Sequence, residues 1–189
     1  MPNLYVALTH YPVVNKSGDI ITSAVTNLDL HDIARAAKTY GVKSFYVVTP
    51  LNDQQVLAQR IIAHWTDGAG GVHNPARRRA LETITVSDSI ADVVEDIRRI
   101  ENKYPKTAVT CARRYPSSIG YEKFRTILET GRPHLLVFGT AWGLAEGFIS
   151  EADYVLEPIA GISDYNHLSV RSAAAIILDR LAGSYTFDT

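Results

Sequence analysis

Two short apolar runs, Leu135-Leu136-Val137-Phe138 and Tyr154-Val155-Leu156, each lead into a turn of small residues: Gly139-Thr140-Ala141-Trp142-Gly143-Leu144 and Glu157-Pro158-Ile159-Ala160-Gly161. A third segment, Tyr165-Asn166-His167-Leu168-Ser169-Val170-Arg171-Ser172, opens a run of alanines at 173–175. Uncharged runs this short read as buried strands. Glycine at a strand's carboxyl end lets main chain approach a ligand closely, so the chemistry on offer is recognition by amides and carbonyls. The binding candidates on this ground are Gly139 and Gly143, then Pro158, Ile159 and Gly161.

Other ligand chemistries lack their residues. The glycine-rich stretch Thr66-Asp67-Gly68-Ala69-Gly70-Gly71 runs into Val72-His73, not the Lys-Ser/Thr pair of a phosphate loop, and reads as a hinge or lid. No G-x-G-x-x-G stands at an early strand-to-helix junction, and the six histidines and single Cys111 show no zinc spacing, so no metal is expected. The side chains that could move a proton or steady a charge are His10, Asp164, His167 and Arg113. Asp164 serves equally as a turn former and His167 as a helix-entry residue bonded to backbone.

The chain has 189 residues, enough for one α/β domain over 1–189. Apolar residues make up 46% and charged residues 21%, and no apolar run reaches the ~18 residues of a membrane span. Met1-Pro2-Asn3 carries no basic leader, and one cysteine cannot form an internal disulfide, so a cytoplasmic protein is expected. The net charge of −1 gives no general support to nucleic-acid binding. Only local clusters can, and two exist: Arg77-Arg78-Arg79, and Arg113-Arg114 after a strand end. Guanidinium groups so placed suit phosphate oxygens, though each cluster also reads as a solvated face. In the loop after the first strand, His10, Asn15 and Lys16 are further substrate candidates.

These groups need a scaffold, and the hydrophobic pattern supplies it. Apolar runs at 4–8, 42–48, 84–86, 107–111, 135–138 and 154–156 predict about six strands. Helical periodicity lies between them, with Asp29 as a cap for the first helix, another helix over 53–65, a start at 87–89, and others over 121–130 and from 170. Alternation of this kind implies an α/β fold, a mostly parallel sheet with helices on both faces.

The turns at 139–144 and 157–161, followed by the segment 165–172 and its small-residue helix, resemble the cofactor half of the SPOUT methyltransferases, RNA methylases with a trefoil knot. The resemblance implies a C-terminal trefoil knot over about 107–181. It also implies S-adenosylmethionine held by Cys111, Phe138, Gly139, Thr140, Gly143, Leu144, Leu156, Pro158, Ile159 and Gly161, with Asn166, His167, Leu168, Ser169 and Val170 closing the pocket, RNA (tRNA or rRNA) as substrate, and a homodimer in which the terminal helix joins the first. Asn15, Lys16, Arg77, Arg78, Arg79, Arg113 and Arg114 become the RNA contacts. Asn27 and Arg35 do not match the ribose-methylating pattern, so no catalytic role passes to them. Ala141 stands where related chains often carry glycine, a strain of about 1 kcal/mol if φ is positive. The alternative is an RNA- or nucleotide-binding regulator that keeps the pocket without transfer.

Overall fold

The computed structural model describes residues 2–163 and 165–184. In its first half, β1 (Leu4–Thr9) leads through a hairpin, β2 (Val13–Val14) and β3 (Ile20–Ile21), into α1 (Asn27–Thr39) and β4 (Phe45–Val48). Three helices follow, α2 (Asn52–Thr66), α3 (Ala69–His73) and α4 (Pro75–Leu81), then β5 (Ile84–Ser87) and α5 (Ile90–Glu101). The second half runs β6 (Lys106–Val109), β7 (Ser118–Ile119), α6 (Tyr121–Leu128), β8 (His134–Gly139), α7 (Glu146–Glu151), β9 (Tyr154–Leu156) and α8 (Val170–Ala182).

Seven strands pair in the order β5-β4-β1-β8-β6-β9-β7, every neighbour parallel. All six expected strands are present. β7 is new: two residues, Ser118 and Ile119, carry too little pattern to announce a strand, and it forms only because β9 offers a free edge. The hairpin β2–β3 and the short α7 likewise went unread.

Strand alternation splits the core into two layers. Leu4, Val6, Leu8, Phe45, Val47, Leu136 and Phe138 face one way, against α1, α2, α4, α6 and α8. Tyr5, Ala7, Tyr46, Val48, Leu135 and Val137 face the other, against Val93 and Ile97 of α5 and Ile149 of α7. Burying such a side chain contributes roughly 1.5–3 kcal/mol, so the two-sided central strands set the fold. The stripe Ala174, Ile177, Leu178 and Leu181 of α8 is consumed in the first layer, and α8 packs on α1 within one chain.

Two expectations change. The first helix is capped by Thr26, whose hydroxyl accepts from the Asp29 amide at 3.3 Å and donates to the Asp29 carboxylate at 2.6 Å. Asp29 is thus the inner partner of a capping pair, a role that differs from a cap only in register. The glycines at 66–71 form no hinge: Gly70 and Gly71 are buried, and a Cβ on Gly71 would lie 2.3 Å from the Trp65 carbonyl oxygen. They are small because helix packs on helix there.

At the amino end of the sheet, Glu101 accepts from Asn3 (2.9 Å), Tyr5 (2.5 Å) and Lys43 (2.5 Å), tying α5 to β1 and to the turn before β4. The Lys43 ammonium and these donors hold its carboxyl down at about 2 against an ordinary 4.5. A depressed carboxyl stabilises the fold fully above its unfolded value and loses that contribution as pH falls through the folded one. Glu101→Gln is therefore expected to flatten the decline in stability between about pH 4.5 and pH 2, measured by urea unfolding across that window, relative to the native chain.

Candidate functional site

The carboxyl ends of β1, β6, β8 and β9 open toward the amino ends of α1 and α8, around a cavity of about 1060 Å³. The chain winds outward from β1 through β4 to β5, then returns to the other side of β1, so the cavity lies where strand order reverses. The turn after β8 supplies Phe138, Gly139, Thr140, Gly143 and Leu144. The loop after β6 adds Cys111 and Arg113, the loop after β9 adds Ile159, and the entry to α8 adds Asn166, His167, Leu168, Ser169 and Val170. Asn15 and Lys16, on the turn between β2 and β3, reach the same cavity.

Several expected residues stand elsewhere. Leu156 is fully buried in the core behind the cavity, because its strand position faces α6 and α8. Pro158 and Gly161 are off the lining; Arg114 is turned onto Glu157 in an ion pair. Asp164 lies outside the described residues. Arg77, Arg78 and Arg79 sit on α4, away from the cavity. Arg78 pairs with Glu82 at 2.8 Å, while Arg77 lies 4.7 Å over the Trp65 ring and lines a separate groove of about 400 Å³ with Arg35, Lys38 and Asn74.

The turn after β8 doubles back so tightly that a Cβ on Gly139 would stand 2.9 Å from the Leu144 amide nitrogen. Glycine is thus required there by the turn itself, and the space is not a ligand's. Ala141 takes φ +52° and Gly143 φ +108°. The fold holds this strained path from two sides. Trp142 N–H donates to the Val14 carbonyl (3.0 Å) and Val14 N–H to the Gly143 carbonyl (2.9 Å), stitching the hairpin to the turn. Thr140 Oγ1 donates to the Thr9 carbonyl at 3.2 Å and hydrogen-bonds Ser23 Oγ, which also meets His10 Nδ1 at 3.0 Å. His10 is fully buried and off the lining; burial pushes its pKa down to about 4, so the neutral ring anchors the turn and is no substrate contact.

Several charges around the cavity are paired within the protein. Asp29 accepts from Arg171 at 3.3 Å, Glu146 from Arg113 at 3.3 Å and from Tyr115 at 2.9 Å, and Glu157 from Arg114. Burial, with the bond to Glu146, pushes the Tyr115 phenol up to about 12, so it stays a donor. Asn166 Nδ2 donates to the Ala112 carbonyl at 3.0 Å, drawing the segment before α8 against the loop after β6. Sequence reasoning missed Ser23, Asp29, Glu146 and Arg171 as cavity residues, since each lies on a different element and no local spacing joins them. Among the described residues no three His, Cys, Asp or Glu side chains gather as metal ligands, and no helix is long and apolar enough to cross a membrane.

Residues 3–183 match the family model described as SAM-dependent RNA methyltransferase. The chain is 46% identical over 185 residues to a tRNA (guanine-N(1)-)-methyltransferase of Nitratidesulfovibrio vulgaris, and 43% identical over 181 residues to one of Oleidesulfovibrio alaskensis. Those matches take in 96% of this chain and 42% of each relative, so the chain spans under half their length. It is also 41% identical over 180 residues to an uncharacterised protein of Aquifex aeolicus, covering 95% of this chain and 88% of that one. Among solved structures, a probable methyltransferase from Bordetella pertussis superposes with TM-score 0.61 at 17% identity, covering 96% and 95% of the two chains. The SpoU methyltransferase AviRb of Streptomyces viridochromogenes, in complex with AdoMet, gives 0.56 at 17% identity over 96% and 58%. A structure described by the 2-OH methylation of C/U34 on tRNA gives 0.57 at 16% identity over 94% and 93%. At these identities the structural likeness establishes the fold.

The strain at Ala141 is testable. Relieving a left-handed alanine recovers roughly 1–2 kcal/mol, less the 0.4–1 kcal/mol that glycine's freedom adds to the unfolded chain. Ala141→Gly is therefore expected to raise stability by about 0.5–1 kcal/mol in denaturant unfolding. Gly139→Ala, which drives a methyl into Leu144, is expected to lower it.

Proposed function

Because the chain belongs to the SAM-dependent RNA methyltransferase family, we propose that it transfers a methyl group to tRNA from S-adenosylmethionine held in the large cavity. The observation that carries this is the convergence of the loops after β6, β8 and β9 and the entry to α8 on one space. The residues fit the cofactor: a Cβ at Gly143 or Gly147 would meet nothing within 4 Å, so main chain at both is bare to the cavity. Cys111, Phe138 to Leu144, Ile159 and Asn166 to Val170 would hold it. When bound, its sulfonium supplies an electrophilic methyl, and an in-line displacement asks chiefly for orientation of donor and acceptor.

The choice of tRNA draws on the names of the two relatives, whose remaining length could equally carry the guanine-N1 activity. The proposed RNA contacts are Lys16 and Arg113, both on the cavity, with Asn15 beside them; Arg114 joins if it leaves Glu157. Arg113 is 70% exposed at its side chain and is held by a carboxylate that RNA phosphate can replace. The groove of Arg35, Lys38 and Arg77 would take a more distant phosphate, since Arg35 follows the cavity residue Asp29 by six positions, about 9 Å along α1.

The knot belongs to the same proposal. Its support is that Asn166 is bonded to the Ala112 carbonyl just before α8, which packs on α1. A homodimer and a cytoplasmic site are proposed with it. Since the α8 stripe is used within the chain, the dimer face would take the exposed Ile20 and Leu28 beside the cavity instead, and light scattering at micromolar concentration decides it.

Transfer of labelled methyl from S-adenosylmethionine to tRNA and to rRNA, with nuclease mapping of the product, tests the activity. Binding of S-adenosylhomocysteine without transfer to any RNA would replace the reading by a regulator. In RNA binding, affinity is expected to fall with salt by a logarithmic slope of about −0.7 to −0.9 per phosphate. Arg113→Ala should flatten that slope by about one. Arg78→Ala, on an arginine already paired with Glu82, should leave it unchanged. Equal slopes for Arg113→Ala and native protein would remove Arg113 from the interface.

A further inference from the structure

The groove between α1 and α4, apart from the cavity, holds more positive charge than the protein itself balances. Arg35 and Lys38 line it from α1, Arg77 and Asn74 from α4 and its cap, around a space of about 400 Å³. Arg35 has one carboxylate, Asp32, at 4.0 Å, and Asp32 is shared with Arg171 at 3.6 Å. Lys38 Nζ has no acceptor among the described residues. The helix dipole favours a lysine in a last turn, which accounts for Lys38 but not for the arginines that two helices bring beside it.

Arg77 is the fixed point of the groove. Its guanidinium lies 4.7 Å over the Trp65 ring. That ring stands near perpendicular to those of His31 and His64, each 5.3 Å away, and packs so closely on Gly70 that a Cβ there would stand 2.9 Å from the indole. The platform under Arg77 is therefore rigid. Yet Arg77 Nε is buried and has no acceptor among the described residues. An unsatisfied buried donor costs about 1–3 kcal/mol, more on a charged group, and a bound ion is one of the few reasons a protein keeps one.

We propose that this groove is a phosphate site that anchors the RNA backbone outside the cavity, with Arg77 as a guanidinium clamp held by Trp65 and with Arg35 and Lys38 as flanking charges. The RNA as source of the phosphate rests on the methyltransferase reading above; the phosphate chemistry rests on the groove alone. Arginine's planar fork matches two phosphate oxygens, and stacking on the indole sets its plane before the ligand arrives, so little side-chain freedom is lost on binding. Lys38 is a point charge that needs no set geometry. Such contacts fix affinity and register without reading bases, so the groove positions the RNA and leaves the choice of nucleotide to the cavity. One helix, α1, carries both Asp29 at the cavity and Arg35 at the groove, which fixes the spacing between the two contacts.

The test uses the full chain, two probes, inorganic phosphate and tRNA, and the variants Arg35→Ala, Lys38→Ala and Arg77→Lys. Arg35 and Lys38 are exposed and none of the three residues is among those assigned to the cofactor, so unchanged S-adenosylhomocysteine affinity checks that each variant is folded. Each alanine variant should flatten the logarithmic salt slope of tRNA binding by about one. Each should also abolish the binding of inorganic phosphate in calorimetry. Arg77→Lys keeps the charge, so its slope should stay native, while tRNA affinity falls roughly threefold to tenfold because the stacked fork is gone. Native slopes for both alanine variants would overturn the RNA anchor, and native affinity in Arg77→Lys would overturn the clamp by making the groove an ordinary solvated face. If the native protein binds no tRNA but loses inorganic phosphate through these substitutions, the RNA reading fails and the phosphate site stands. If it binds neither probe, the site fails too.

Discussion

β8 lies between β1 and β6, buried on both faces for its whole length before Gly139, and each loop of the cavity is placed by that wedge. A strand with neighbours on both edges and helices on both faces cannot bend away at its end, so the chain must turn within a few residues and fold back on itself. Gly139 is the cost of that reversal, since any side chain there collides with Leu144. The same wedge brings the end of β6 to one side of the turn and the end of β1 to the other. Thr110, Thr9 and Thr140 thus arrive together although they are far apart in sequence.

The turn after β8 would not hold its shape alone. A left-handed alanine costs of order 1–2 kcal/mol, and the turn keeps it because the hairpin and the His10–Ser23–Thr140 chain fix its two flanks. The hairpin is short, two residues a strand, and has no stability of its own; its bridge to Leu144 gives it a role. Burying His10 as a neutral ring costs less than burying a charge, which explains why a titratable residue can serve as an anchor here.

The electrostatics follow one design. The chain carries a net charge of −1, and three arginines near the cavity are each held by a carboxylate from another element: Arg113 by Glu146, Arg114 by Glu157 and Arg171 by Asp29. The exposed pairs Arg113–Glu146 and Arg114–Glu157 contribute little to stability, roughly 0–1 kcal/mol, whereas Arg171 reaches a buried carboxylate, Asp29.

By itself the sequence determined six of the strands, most of the helices and the family resemblance, because buried runs, helical periodicity and glycine turns are local signals written within ten or so residues. Phe138 to Leu144 and Asn166 to Val170 could be read as cavity residues for that reason. The tertiary structure alone decided that Leu156 faces the core, that Arg77 to Arg79 lie on another surface, and that His10 is an anchor. It also decided that Asp29, Arg171 and Glu146 share the cavity, and that Trp142 and His167 stand side by side on its wall. Each of these depends on which strand is neighbour to which, and a parallel sheet sets that by long crossovers whose outcome no local spacing records.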